Sequence, residues 1–292
     1  MASDKTLDTL VEDIYELFDP NKTHIPSEEN LNKVAENIKN ILRIRLAERE
    51  NTRDPLRISA IGKPDRQLWF MAHPDGNEEE ISSKTYFKFL YGDIIEQLIL
   101  FLAREAGHTV EDEQAEIEIN GVTGHIDARI DGVIVDVKSA SPTGYKKFEQ
   151  ARVVEDDPFG YVAQLSGYSF VLNPGEPAAW IAFDKVHGDI CVSKLSYSII
   201  QHNEPGPRIE HLKEVIASEN IPPLCYDPVP DGKSGNMKLP TPCGYCAHKK
   251  RCHPNLRTFL YGNGPRFLTT VSKLPDVPEV VGKDLNEETE DS

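Results

Sequence analysis

Two acidic side chains and a lysine stand out for what they could do together. Gly124-His-Ile-Asp127 is followed, across an Asp131-Gly132 pair, by Ile134-Val-Asp136-Val-Lys138. Asp-Gly between two β-type runs is a tight hairpin signal, so Asp127 and Asp136 fall at neighbouring positions on paired strands. Carboxylates held that close repel one another unless a cation sits between them. Ligands that are all oxygen suit a hard divalent ion, Mg²⁺ or Mn²⁺. Asp136 and Lys138 are two apart, so on a strand their side chains leave the same face. An ammonium beside such a metal holds or activates a water and offsets transition-state charge. The chemistry that fits is phosphodiester hydrolysis, with the metal polarising a phosphoryl oxygen and lowering the pKa of bound water. An Asp-x-Lys tripeptide is common, and taken alone it reads as a solvated strand end with a surface lysine.

A second set is made of sulfur. Cys243-Gly-Tyr-Cys246 and Cys252 form C-x₂-C-x₅-C, with Cys225 upstream. Three soft thiolates so close suit zinc or an iron–sulfur cluster. The interposed Lys249-Lys250-Arg251 argues against an apolar thiol core. It would offset thiolate charge, reach DNA phosphate or simply be solvated. Cys191, inside a β-type run, reads as a small core residue. An odd total of five cysteines, with no secretory-type apolar stretch behind the first residues, argues against a disulfide framework and for a cytoplasmic setting.

The elements that must position these residues are legible in outline. Residues 1–55 look helical, with Ser27 as N-cap before the periodic set Leu31, Val34, Ile38, Ile41 and Leu42. A long helix is predicted over 83–106, ended by Gly107. Strands follow at 115–119, 124–130 and 133–137, then a polar loop, a helix over 158–171 and strands at 179–183 and 190–195. Another helix over 207–219 leads into the Pro- and Cys-rich segment 221–254. From 275 onward, seven acids stand against one lysine, and the end of the chain reads as a disordered tail. The expected fold is α/β, a central mixed sheet flanked by helices, with a helical N-terminal region and a C-terminal cysteine cluster. The expected divisions are 1–56, a core over 57–205, a cluster region over 206–260 and a tail over 261–292.

Bulk properties set limits. An apolar fraction of 39% and a charged fraction of 27% are ordinary for a globular protein, and no run is long enough to span a bilayer. The formal net charge of −16 speaks mildly against nucleic acid as a partner. The objection is weaker for an enzyme whose metal neutralises phosphate at the reacting point.

In order along the chain, Gly92-Asp-Ile-Ile-Glu96, Gly-His-Ile-Asp127, Asp136-Val-Lys138 and Gln164-Leu-Ser-Gly-Tyr168 resemble the motifs of the PD-(D/E)xK nuclease superfamily, in its RecB-like exonuclease branch. The resemblance covers roughly residues 57–255. It implies a restriction-endonuclease-like core and a divalent-metal-dependent DNA exonuclease of recombination, replication or repair, of phage type among others. It implies that Asp127, Asp136 and the carbonyl of Val137 bind the metal and that Lys138 serves the water. Glu96 stands where the family carries a ligating His or Glu, although His is the commoner residue in this branch. Gln164 and Tyr168 share one helical face by their spacing; in the family that face looks onto the active site. Ser139 and Ser141, just beyond Lys138, are further candidates for phosphate contact. The cysteine spacing is similar to that of the iron–sulfur members, including AddB-type and CRISPR-associated exonucleases. This implies a [4Fe–4S] cluster, with zinc as the alternative. In those relatives the fourth ligand is a cysteine far upstream. The matching segment here, Ile61-Gly-Lys-Pro-Asp65-Arg-Gln-Leu-Trp69, carries Asp65 in its place, so Asp65 and Cys225 both stand as candidates. Partners would be DNA and a single-strand-binding or recombination protein. The rival readings are a structure-selective endonuclease or junction resolvase, and a non-catalytic DNA-binding scaffold.

Overall fold

In the computed structural model, which describes residues 5–47, 55–76, 78–79, 82–262 and 264–280, Asp131 and Gly132 both take positive φ, 49° and 82°. That is the backbone of a two-residue hairpin turn whose twist matches the flanking strands.

The chain runs through helices α1 (Leu10–Glu16), α2 (Glu28–Ala47), α3 (Asp65–Ala72) and α4 (Ser83–Glu105), with a short 3₁₀ turn at Ile58–Ala60. Strands β1 (Val110–Glu111), β2 (Glu116–Ile119), β3 (Val122–His125), β4 (Ala128–Ile130) and β5 (Val133–Ala140) follow. Then come α5 (Pro142–Glu149), α6 (Tyr161–Leu172), β6 (Ala178–Asp184), β7 (Ile190–Leu195), α7 (Tyr197–His202) and α8 (Pro205–Ala217). The C-terminal part holds β8 (Val229–Pro230), β9 (Met237–Lys238), α9 (Thr241–Gly244), α10 (Lys249–Cys252), β10 (Arg257–Tyr261), β11 (Gly264–Thr270) and β12 (Glu279–Val280).

The chain forms two units, one of Met1–Gly62 with Lys84–Lys213 and one of Lys63–Ser83 with Glu214–Ser292. In the first, a mixed five-stranded sheet has the order β1-β4-β5-β6-β7, antiparallel except where β5 runs parallel to β6. Leu10 and Ile14 of α1 and Ile95, Ile99, Leu100 and Ala103 of α4 pack with Ala128, Ile130, Val135, Ala179 and Ile181 of the sheet. Val135 and Val137 join that core, so strand alternation turns Asp136 and Lys138 to the other side. Among the described residues, no helix is long and apolar enough to cross a membrane.

The second unit departs from the expected divisions. Residues 63–83 belong with the C-terminal region because Trp69 donates to the Ser218 carbonyl at 2.7 Å, Arg66 to that of Pro222 at 2.6 Å and Arg251 to that of His73 at 2.6 Å. Its antiparallel sheet has the order β12-β10-β11-β9-β8. The expectation of a tail from residue 261 is therefore corrected: β11 and β12 both pair with β10. Residues 281–292 of that expected tail lie outside the described residues.

A further correction concerns a single element. The predicted strand over 124–130 is broken at Ile126–Asp127, with β3 pairing with β2 and β4 passing into the main sheet. The helix expected after Ser27 is present as α2, and none of its residues is fully buried. Polar contacts hold that helix: Asn30 donates to Glu105 at 2.6 Å, Asn37 to Gln97 at 2.7 Å and Arg45 pairs with Asp93 at 2.5 Å.

Candidate active site and cysteine centre

Asp127 sits at the break between β3 and β4, one residue before Ala128 pairs with Val135. Its Oδ2 accepts the Val137 N–H at 2.7 Å, which fixes the carboxylate against β5. Asp136 is 2% exposed, and its Oδ2 lies 2.7 Å from the Lys138 ammonium. That contact meets the distance of a hydrogen bond but not its angles, so Oδ2 has charge opposite it and no aligned donor.

Gln164 ties the two together. Its Nε2 donates to Asp136 Oδ1 at 3.2 Å, and its Oε1 accepts from Lys138 at 3.4 Å. The Tyr168 hydroxyl lies 3.4 Å from Gln164 Nε2, and Tyr168 itself is buried. Tyr168 thus supports Gln164 from a buried position. Gly124 is required here: a Cβ on it would stand 2.6 Å from Ile58 Cβ and 3.0 Å from Tyr168 Cε1. The helix bearing Gln164 starts where it does because the Asp157 carboxylate accepts the N–H groups of Gly160, Tyr161 and Val162, at 2.9, 2.9 and 2.8 Å.

Glu96, on α4, lines a cavity with Asp93, Gln97 and Gln114, near enough to Asp136 and Asp127 for their charges to act on one another. Gln114 donates to its Oε1 at 2.8 Å, and Gln114 itself holds a left-handed φ of 54°. Such a conformation is strained for a residue with a Cβ and recurs at functional sites. Burial, then the nearby Asp93 and Asp136 charges, push the Glu96 carboxyl up to about 7 against the pull of the Gln114 bond. Burial, then Asp136 and Glu96, hold Asp127 well above the usual carboxylate range. Burial raises Asp136 too, opposed by Lys138. For Lys138, burial would favour the neutral amine, but Asp136 and Asp127 together outweigh it and keep the ammonium.

Asp127, Asp136, Lys138, Gln164 and, indirectly, Tyr168 are therefore brought together, with Val137 supplying its N–H, and Glu96 stands near enough for its charge and those of Asp127 and Asp136 to act on one another. Acidic oxygens of this kind could serve a hard cation, but these three carboxylates do not bring their oxygens within 4.8 Å of one another. Ser141 is accounted for otherwise, its side chain capping α5 through the Gly144 N–H at 3.2 Å. Sequence reasoning passed over Gln114 and Tyr161. Tyr161 places its ring 4.6 Å from the Lys138 Nζ, and its position three residues before Gln164 on one helix was the available signal.

In the second unit, Cys225, Cys243, Cys246 and Cys252 are part-buried and unpaired. Burial, then the Cys225, Cys246 and Cys252 sulfurs, push the Cys243 thiol up to about 12. Burial raises Cys225 and Cys246 as well, each with Cys252 among its neighbours. Burial is the largest cause of the rise at Cys225, the Cys252 sulfur adds to it, and the backbone of Gln67 and the side chain and backbone of Arg66 oppose it. Of the basic triplet, Lys249 is buried and pairs with Glu79, Lys250 is exposed and lies 3.3 Å from Glu79, and Arg251 pairs with Asp75 at 2.8 Å. Cys191 lies apart on β7.

Among the described residues, only Asp184, His187 and Asp189 bring three potential ligand atoms within 4.8 Å of one another. Asp184 there accepts the Val186 N–H at 2.8 Å and pairs with His187 Nδ1 at 2.9 Å, which accounts for it as a turn between β6 and β7.

No family model matches the chain, and no curated protein does. Among solved structures, the crystal structure of SSO0001 is similar at a TM-score of 0.39 and 16% identity, covering 74% of this chain and 94% of that one. A likeness that distant carries no weight for the chemistry.

Proposed function

We propose that this chain is a divalent-metal-dependent deoxyribonuclease, acting exonucleolytically on DNA in recombination, replication or repair. The observation that supports the reading is the placing of Asp127 and Asp136 on neighbouring strands beside an ammonium that Asp136 and Gln164 hold, with Glu96 near enough for its charge to act on both. Acidic oxygens in a part-buried pocket are unfavourable without a cation. Glu96, Asp127 and Asp136 would hold Mg²⁺ or Mn²⁺, with the Val137 carbonyl as a further ligand. A bound ion of this kind supplies Lewis-acid polarisation of the scissile phosphate and a water of lowered pKa.

The chain's own residues do the rest. Lys138 stays charged and faces the phosphate, where it orients the attacking water and offsets charge that grows in the transition state. Gln164 fixes that ammonium by accepting from it while donating to Asp136. The Val137 N–H keeps Asp127 turned toward Asp136. Because DNA enters as a polyanion against a chain of net charge −16, neutralisation must be local to this pocket.

The cysteine centre belongs to the same reading. Cys225, Cys243, Cys246 and Cys252 would hold a [4Fe–4S] cluster, and Cys225 is favoured over Asp65 as fourth ligand because it neighbours the other thiols. The optical spectrum of anaerobically purified protein separates this from zinc: a broad band near roughly 400 nm for iron–sulfur, none for zinc.

Cleavage of linear single- and double-stranded DNA with Mg²⁺ or Mn²⁺ tests the proposal. Asp136→Ala and Lys138→Ala are each expected to lower the rate by at least about 10³-fold. Cleavage retained by both variants refutes the site. Covalently closed circles should resist the wild-type enzyme, and cutting of them would favour an endonuclease.

A further inference from the structure

The Lys138 ammonium is met from three directions. Asp136 lies 2.7 Å from it, Gln164 Oε1 accepts from it at 3.4 Å, and the ring of Tyr161 faces it with 4.6 Å between Nζ and the ring centroid. The first two contacts are made by oxygens on residues of the recognised motifs. The third is made by an aromatic face to which no motif assigns a part. Burial, opposed by the Lys138 charge, pushes the Tyr161 phenol up, so it meets the ammonium as a neutral ring.

The strands that carry Asp136 and Lys138 also fix where that ring stands. Trp180 on β6 is the register partner of Asp136 on β5. Its indole, 1% exposed, meets the Phe148 ring of α5 edge-on, at 6.0 Å and 64° between planes. Phe148, also buried, lies 6.1 Å from Tyr161 at 30°. Tyr161 then meets Lys138, and Lys138 returns to Asp136, so the circuit closes on the strand pair where it began. The main chain is tied as well, since the Tyr161 N–H donates to Asp157 at 2.9 Å in the first turn of α6. Tyr161 and Gln164 are three apart, and one turn of that helix delivers both ring and amide to the same ammonium.

An aromatic face supplies something an oxygen would not. Another carboxylate beside Lys138 would add negative charge to a pocket that already holds Asp127 and Asp136. A ring attracts the cation through its quadrupole and adds no charge. We infer that the ring of Tyr161 is a positioning device for Lys138, holding the ammonium where it serves the attacking water. The inference rests on the nuclease reading of this pocket and adds to it a residue outside the motifs. Tyr161 acts through Lys138, and the part that acts is its ring, not its hydroxyl.

Nuclear magnetic resonance reads the contact with neither substrate nor metal. In wild-type protein isotopically labelled at the lysine Cε atoms, the ring current should shift the Lys138 ε-protons upfield. Those protons should also show a nuclear Overhauser contact to the Tyr161 ring. The shift should persist in Tyr161→Phe and be lost in Tyr161→Leu. Cleavage of linear DNA in Mg²⁺ reads the consequence. Tyr161→Leu should lower kcat about tenfold with KM nearly unchanged, and Tyr161→Phe should recover the rate to within about twofold of the wild type. The Overhauser contact is measured in the wild type, so a variant that fails to fold can neither mimic nor hide it. If the wild-type Lys138 signal is unshifted, the role is refuted. The same follows if Tyr161→Leu keeps the wild-type kcat, or if Tyr161→Phe loses as much as Tyr161→Leu; in each case the nuclease reading stands. If the contact is present but the wild type cleaves no DNA, the nuclease reading falls and the positioning role falls with it.

Discussion

The carboxylate pocket of the first unit and the cysteine centre of the second answer the same problem, holding repelling ligands together, with opposite means. The pocket is set on regular structure: a two-residue hairpin, an eight-residue strand and a helix whose start three hydrogen bonds fix. Its packed neighbours, Ile58, Tyr168 and Trp180, are essentially sealed from solvent. The cysteines instead lie on two four-residue helices, in the turn between them and in the loop before β8. Helices that short have little stability of their own. On the proposed reading, the oxygen ligands would be presented by a packed scaffold, whereas the sulfur ligands would be presented by short segments that lean on a cluster for their order.

The comparison can be broken most forcefully at the cysteines. Replacing Cys243 and Cys246 together by Ser should remove the cluster and, with it, the order of residues 225–252, because metal binding at such sites is folding free energy of about 10 kcal/mol. Limited proteolysis is the readout, with cleavage in that segment expected to rise by about tenfold or more. Unchanged protection would mean that the segment holds its fold by packing alone. Smaller, and aimed at the other unit, is Gly124→Ala. Its Cβ would press on Ile58 and Tyr168, and the loss of stability should be about 1–3 kcal/mol, seen as a lower denaturant midpoint. Restored stability in the Gly124→Ala/Ile58→Ala double variant would sharpen the assignment, and an unaffected single variant would contradict the close approach.

How much of this was legible depended on whether a signal was local. Asp131-Gly132 announced its turn because only residues tolerant of positive φ fit there, and the run from Ile190 to Leu195 announced β7 by its β-type residues. The order of Glu96, Asp127, Asp136, Lys138 and Gln164 was readable as a resemblance, but their convergence depends on the Asp127–Val137 bond, which spacing does not encode. The second sheet went unread because β8, β9 and β12 are two residues long and Gly264–Thr270 begins with Gly-Pro. For α5, the Ser141-Pro142 pair was a cap-and-start signal lying in plain sight within a supposed loop. In α2 the periodicity gave the helix, but the amides and ion pairs that dock it left no periodic signal. Gln114 offered no sequence signal, because its role follows from a left-handed backbone.

The central claim is that Glu96, Asp127 and Asp136 form a seat for a hard cation, and it can be tested without any substrate. Titrating Mn²⁺ into chelator-treated wild-type protein and into Asp136→Asn, by calorimetry or by the loss of the free-ion paramagnetic signal, reads that seat directly. The account predicts saturable binding by the wild type and an affinity lowered by about tenfold or more in the variant. Wild-type protein that takes up no Mn²⁺, or a variant that takes it up equally well, would contradict it.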